Sequence, residues 1–147
     1  GKGEMKDWRN EMQVLPIGKG KKLCDGDDIA VLSIGPIGNE VIKAIEMVKE
    51  EGVSIAHYDM IYLKPLDEEL LHEIGQKYNR IITVESGVIK GGFGSAVLEF
   101  MADNGYTPHV KRIGVPDAFI EHGSIPELYQ LCGMDAESIA KQLKKEN

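Results

Sequence analysis

The sequence predicts an α/β domain built on a mainly parallel sheet of about five strands, with helices on both faces. Short apolar runs alternate with amphipathic segments of roughly 10–15 residues, the pattern of repeated β-α-β units. The run at 29–34, IAVLSI, is almost wholly apolar, as in a strand buried on both faces of a parallel sheet. Clusters of glycine, proline and aspartate separate these segments and mark the turns.

Each element follows from its local pattern. Core strands are predicted at 29–34, 53–60, 80–84 and 109–114, and a short basic edge strand is predicted at about 19–24. Helices are predicted after the first three core strands, with Asn39 capping the first helix and Asp67 the second. Two shorter helices are predicted near the end of the chain, beginning after Ser124 and Asp135.

Composition excludes several classes of function. The 147 residues contain 17 Lys and Arg against 24 Asp and Glu, a net charge of −7, which is unsuited to nucleic acid or an anionic membrane. No apolar run approaches the ~18–20 residues of a membrane span. Cys24 and Cys132 match neither a metal-binding nor a redox spacing, so we expect reduced thiols and a cytoplasmic location.

The start of the chain predicts a fragment of a longer protein. The first residue is Gly1, and the first methionine follows at position 5. Residues 1–18 show no sustained periodicity, so we expect a connector from a missing upstream domain. Residues 19–147 then form the α/β domain.

A glycine loop is the first candidate site, since a strand, a glycine loop and a helix in succession can hold a phosphate. The loop lacks the third glycine of a dinucleotide fingerprint, and Phe93 stands where a P-loop has lysine. One interpretation is a packing or interface loop, with Glu85 available to occupy the helix N-terminus. The alternative is a regulatory site for a small ligand or nucleotide. The residues concerned are Glu85, Gly91, Gly92, Gly94 and Ser95.

Two further residues are weaker candidates. Asp59 ends a predicted strand, where α/β enzymes place catalytic groups, but it lacks a partner in the sequence. His122 precedes a predicted helix and could pair with Cys132, although a turn explains it as well. The four histidines show no metal-ligand spacing. The residues therefore predict no complete catalytic or metal site, with a free-standing enzyme using Asp59, Glu85 or His122 as the alternative.

Five stretches, in order, carry a family resemblance: LPIGKGKKL, DDIAVLSIG, YDMIYLKPLDEELL, ITVESGVIKGGFGSAV and RIGVPDAFIEHGS. Together they resemble the C-terminal domain of the 1-deoxy-D-xylulose-5-phosphate synthases, thiamine-diphosphate enzymes of the transketolase family. The resemblance runs from about Leu15 to the end of the chain. The third and fourth stretches, which contain Asp59 and Glu85, are also similar to transketolases and to 2-oxo-acid dehydrogenase β subunits.

The resemblance implies a three-layer α/β/α domain whose five-stranded sheet has one antiparallel edge strand. It also implies that the parent enzyme condenses pyruvate with glyceraldehyde 3-phosphate, releasing CO2, to supply isoprenoid, thiamine and pyridoxal synthesis. Thiamine diphosphate and Mg2+ are the family's cofactors, and its working unit is a homodimer. Because the family binds its cofactors in two upstream domains, none is expected in this chain. The expected role of the domain is to pack on its own chain and to support dimer contacts.

Overall fold

The structure is a computed structural model and describes residues 17–88, 92–115 and 125–144. Its strands are β1 (Lys21–Cys24), β2 (Ile29–Ile34), β3 (Ile55–Asp59), β4 (Arg80–Val88) and β5 (His109–Val115). Its helices are α1 (Gly38–Val48), α2 (Glu68–Lys77), α3 (Phe93–Asp103), α4 (Ile125–Leu131) and α5 (Ala136–Lys144).

The strands form one five-stranded mixed sheet in the order β1-β3-β2-β4-β5. The edge strand β1 is antiparallel to β3, whereas the other neighbouring strands are parallel. This arrangement confirms the predicted fold class, including the basic edge strand. Each parallel pair needs a crossover connection, and the helices between the strands provide it.

Two hydrophobic clusters, one on each face of the sheet, make the domain three layers thick. Ile29 and Val31 of β2 face the cluster that contains the buried sides of α1 and α5. Ala30 and Leu32, the alternate residues of the same strand, face the cluster that contains α2 and α3. Successive strand residues point to opposite faces, so an uninterrupted apolar run is what a strand covered on both sides requires.

The helix starts test the predicted caps. The prediction for Asp67 is confirmed, because its carboxylate accepts a hydrogen bond from the Leu70 amide at 3.1 Å. The prediction for Asn39 is wrong: α1 begins at Gly38, and the residue at the cap position, Ile37, makes no side-chain cap. Backbone carbonyls replace the cap, since the amides at 38, 39 and 40 donate to the carbonyls three residues earlier at 2.9–3.1 Å.

Some predictions concern residues outside the described ranges. They are residues 1–16 of the connector, Gly91 of the glycine loop, His122, and Ser124 before α4. Among the described helices, none has the length and apolar character needed to cross a membrane.

Candidate functional site

The sheet topology indicates where a ligand site should lie. From β2 the chain continues to β3 on one side, whereas β4 pairs with β2 on the other side. Open α/β sheets bind ligands at such a switch point, beyond the carboxyl ends of the diverging strands. Here those ends are Ser33 and Ile34 of β2, which are in register with Val84 and Glu85 of β4.

Glu85 is buried at this switch point, with 4% of its surface exposed. Its Oε1 accepts a hydrogen bond from the Phe93 amide at 2.9 Å, and its Oε2 accepts one from the Gly94 amide at 2.6 Å. These amides open α3, where no side chain of the cap residue, Gly92, satisfies them. A carboxylate at this position benefits from charge-assisted hydrogen bonds and from the positive end of the helix dipole. The N-terminus of α3, which could attract a phosphate, is thus occupied by the Glu85 carboxylate of the same chain.

Gly94 lets α3 approach the sheet. A Cβ built on Gly94 would lie 2.6 Å from Thr83 Oγ1 and 3.0 Å from Arg112 Cγ. Both neighbours belong to strands, β4 and β5, so the helix would have to move outward to make room. At Gly92, φ is −94°, so a left-handed backbone is not the reason for that glycine.

Ser95 ties the first turn of α3 to β5. Its Oγ accepts a hydrogen bond from Arg112 Nη1 at 2.9 Å. Together with the two bonds to Glu85, this contact attaches the start of the helix to β4 and β5. The structure therefore brings Glu85, Gly94 and Ser95 together at the start of α3.

A buried pair of polar side chains, Ser33 and His57, joins β2 to β3. Ser33 Oγ and His57 Nε2 are 2.7 Å apart, and each residue is 1% exposed. Burial lowers the pKa of His57 to about 4, while the charge of Asp59 opposes the shift. The imidazole is therefore neutral at pH 7 and is satisfied inside the domain.

The pairing of Ser33 with His57 was not predicted from the sequence, although the strand pattern contains a signal for it. Ser33 follows Val31 at the spacing of one sheet face, and His57 follows Ile55 in the same way. Both polar residues therefore occupy positions that the strand pattern assigns to the core. A buried polar side chain needs a partner, so two such positions in neighbouring strands point to each other.

Asp59 ends β3, as predicted, but it serves a turn. Its Oδ1 accepts a hydrogen bond from the Ile61 amide at 3.1 Å. Ile61 has a φ of +63°, and the Tyr62 amide donates to the Met60 carbonyl at 2.6 Å across it. This three-residue turn is rare for a β-branched residue because its backbone is strained.

Asp59 and Glu85 do not form an acid–base pair. Asp59 is in register with Ser33 of β2, and Glu85 is in register with Ile34 of the same strand. Two strand spacings, about 10 Å, therefore separate their backbones. Each carboxylate instead accepts hydrogen bonds from nearby backbone amides.

The described residues do not fit the family's cofactors. Within the described ranges, no three His, Cys, Asp or Glu side chains come together in a way that could hold a metal ion. The amides of Phe93 and Gly94, which could donate to a diphosphate at the start of α3, are already bonded to Glu85. No chemical step through thiamine diphosphate or Mg2+ can be assigned to these residues.

Comparison with known proteins identifies close relatives. The chain is 98% identical over its whole length to 1-deoxy-D-xylulose-5-phosphate synthase of Parabacteroides distasonis, of which it spans 23%. It is 58% identical over 99% of its length to the synthase of the same name from Bacteroides fragilis, of which it spans 22%. The chain thus spans about a quarter of the length of these curated relatives.

Solved structures agree on the architecture. A split-gene transketolase, described as an inactive β4 tetramer, superposes with a TM-score of 0.79 and 31% identity, covering 88% of this chain and 42% of that one. Transketolase of Campylobacter jejuni superposes with a TM-score of 0.63 and 13% identity, covering 86% of this chain and 18% of that one, and this likeness concerns the fold alone. The family model of the transketolase C-terminal domain matches residues 18–139. The chain therefore belongs to the transketolase C-terminal domain family.

Proposed function

We propose that this chain is the C-terminal domain of a 1-deoxy-D-xylulose-5-phosphate synthase and that its role there is structural. The parent enzyme condenses pyruvate with glyceraldehyde 3-phosphate, forms 1-deoxy-D-xylulose 5-phosphate and releases CO2. The observation that carries the proposal is the 98% identity over all 147 residues to a synthase of which the chain spans 23%.

The state of the polar groups at the switch point supports a structural role. Glu85 is bonded to the first amides of α3, and Ser33 is bonded to His57. Asp59 supports a turn. Catalytic groups must be able to reach a substrate, whereas these groups are engaged within the domain. For the same reason we assign the loop containing Gly92, Gly94 and Ser95 to packing rather than to a ligand.

In this proposal, thiamine diphosphate and Mg2+ bind to the upstream domains of the parent enzyme, which is a cytoplasmic homodimer. Residues 1–18 form the connector from those domains, and residues 19–147 form the packing domain. The contacts of the domain with its own chain and with the second subunit support dimer formation. Thiamine diphosphate supplies the carbanion chemistry of such enzymes, so the reaction belongs to the domains that hold it.

The first test separates the domain from its parent. Calorimetric titration of the 147-residue chain with thiamine diphosphate and Mg2+ should give no binding heat, while the full-length parent should bind both. Saturable, stoichiometric binding by the 147-residue chain would contradict a purely structural role. It would also reopen the glycine loop as a diphosphate site.

The second test concerns the reaction. The full-length parent should release labelled CO2 from pyruvate labelled at its carboxyl carbon, and the release should depend on glyceraldehyde 3-phosphate. Removal of residues 19–147 should lower the dimer fraction measured by light scattering. A parent that transfers a two-carbon unit from a ketose phosphate, with no CO2 release from pyruvate, would instead be a transketolase.

A further inference from the structure

A cavity of about 440 Å³ lies between the edge strand β5 and the last helix, α5. Its size is within the range of small-molecule sites, roughly 300–1,000 Å³. Lys111 and Arg112 of β5 line one side, and Ser138, Lys141 and Gln142 of α5 line the other. The three residues of α5 share one face because their spacing is i, i+3 and i+4.

The lining of this cavity is cationic in an acidic protein. Lys111 and Lys141 line it, and among the described residues no aspartate or glutamate does. The chain as a whole carries a net charge of −7. Lys111 of β5 and Lys141 of α5 approach this space from a strand and a helix on the same face of the sheet, and their mutual repulsion is relieved when an anion lies between them.

The two lysines lack carboxylate partners within the part of the chain that the structure describes. Among the other described lysines, Lys21 and Lys64 also form no ion pair, whereas six do: Lys19, Lys22, Lys43, Lys49, Lys77 and Lys144. No such pair involves Lys111 or Lys141. The side chain of Arg112 lies on the opposite face of the sheet, where Nη1 donates to Ser95 of α3, so its guanidinium does not face α5.

From this convergence we infer that the cavity binds a small polyanion, a molecule carrying a diphosphate or several carboxylates. Ammonium groups are usual donors to such anions, and the side-chain amide of Gln142 adds a neutral donor. The site is distinct from the α3 N-terminus, where Glu85 holds the amides. An anion here would join β5 to α5 and so connect the end of the sheet to the last helix.

The test uses inorganic pyrophosphate and citrate, titrated separately into the 147-residue chain and followed by calorimetry and by backbone-amide NMR. We expect saturable binding of at least one probe with a Kd below about 1 mM. The shifted amides should include those of Gly114, Gly133 and Gln142, which line the cavity. Tighter binding of pyrophosphate identifies a phosphate-bearing ligand, and tighter binding of citrate identifies a polycarboxylate.

A matched pair of variants separates a site from general attraction. In K111Q/K141Q we expect the Kd to rise by about tenfold or more, because charge-assisted hydrogen bonds are lost. K21Q/K64Q removes the same charge from exposed lysines outside this cavity and should leave the Kd nearly unchanged. The four lysines are exposed, so the fold should persist, which thermal unfolding checks. Equal weakening in both variants, or no saturable binding by the unmodified chain, would overturn the inference.

Discussion

Ser33 Oγ and His57 Nε2 lie 2.7 Å apart between β2 and β3, with both residues buried. The pair joins neighbouring strands on the face that α1 covers, where Gly38 approaches Ser33 so closely that a Cβ would lie 3.1 Å from the hydroxyl. A neutral imidazole suits this site, because a buried charge would need a compensating partner. Stability should therefore depend on the protonation of His57.

The first prediction is a loss of stability in mild acid. Burial lowers the pKa of His57 from 6.5 to about 4, so between these values the unfolded chain binds a proton that the folded chain does not. The contribution of His57 is fully present above pH 6.5 and falls as the pH drops towards 4. At pH 5 the loss should be about 2 kcal/mol. Urea unfolding at pH 7.5 and 5 measures it.

The control for this prediction is a second histidine. H57Q should show a smaller fall in unfolding free energy between pH 7.5 and 5 than the unmodified chain. H109Q replaces an exposed histidine at the start of β5 and should retain the full fall. If the profile of H57Q runs parallel to that of the unmodified chain, the buried imidazole is not the source of the pH dependence.

The second prediction concerns Glu85, whose carboxylate accepts hydrogen bonds from the first amides of α3. In E85Q, one of the two amide donors, Phe93 N or Gly94 N, must face a side-chain NH2 group instead of an oxygen. An unsatisfied buried donor should lower the free energy of unfolding by about 2 kcal/mol. Chemical denaturation measures the loss. E99Q changes an exposed glutamate of the same helix, and a comparable loss there would show that the effect is general charge.

The third prediction concerns the approach of α3 to the sheet. G94A should destabilise the domain by about 1–3 kcal/mol, because the new methyl group would lie 2.6 Å from Thr83 Oγ1. T83A removes that oxygen, which has no hydrogen-bond partner among the described residues. The double variant G94A/T83A should therefore recover part of the loss, and unfolding of all four proteins measures the coupling. Strict additivity would mean that this contact does not limit the approach.

The fold class was predictable because it depends on local pattern. The apolar run at 29–34 and the amphipathic segments around it require strands covered by helices, whatever the order of the strands. The cap at Asp67 was predictable for a similar reason, since an acidic first turn follows it directly. Asn39 misled because backbone carbonyls satisfied the amides that its side chain was expected to bind.

The candidate site was less predictable because it depends on long-range register. Glu85 is in sequence reach of α3, so it was a candidate, but only the extension of β4 to Val88 shows that it is held in the ladder beside Ile34. The pairing of Ser33 with His57 spans 24 residues and requires the β2–β3 register. The cationic cavity is lined by residues of both β5 and α5, and no local motif in the sequence indicates that these two elements lie side by side.

The fourth prediction concerns Asp67, which joins α2 to the segment before β1. Its Oδ1 accepts from the Leu70 amide at 3.1 Å, and its Oδ2 accepts from the Gly20 amide at 2.8 Å. D67N can keep one bond but places an NH2 group against the other donor, so unfolding free energy should fall by about 1–3 kcal/mol. Hydrogen exchange should also rise at Gly20 if the side chain turns its NH2 group there. D103N, on an exposed helix end, is the control, and unchanged stability and exchange in D67N would show that Asp67 does not hold this connection.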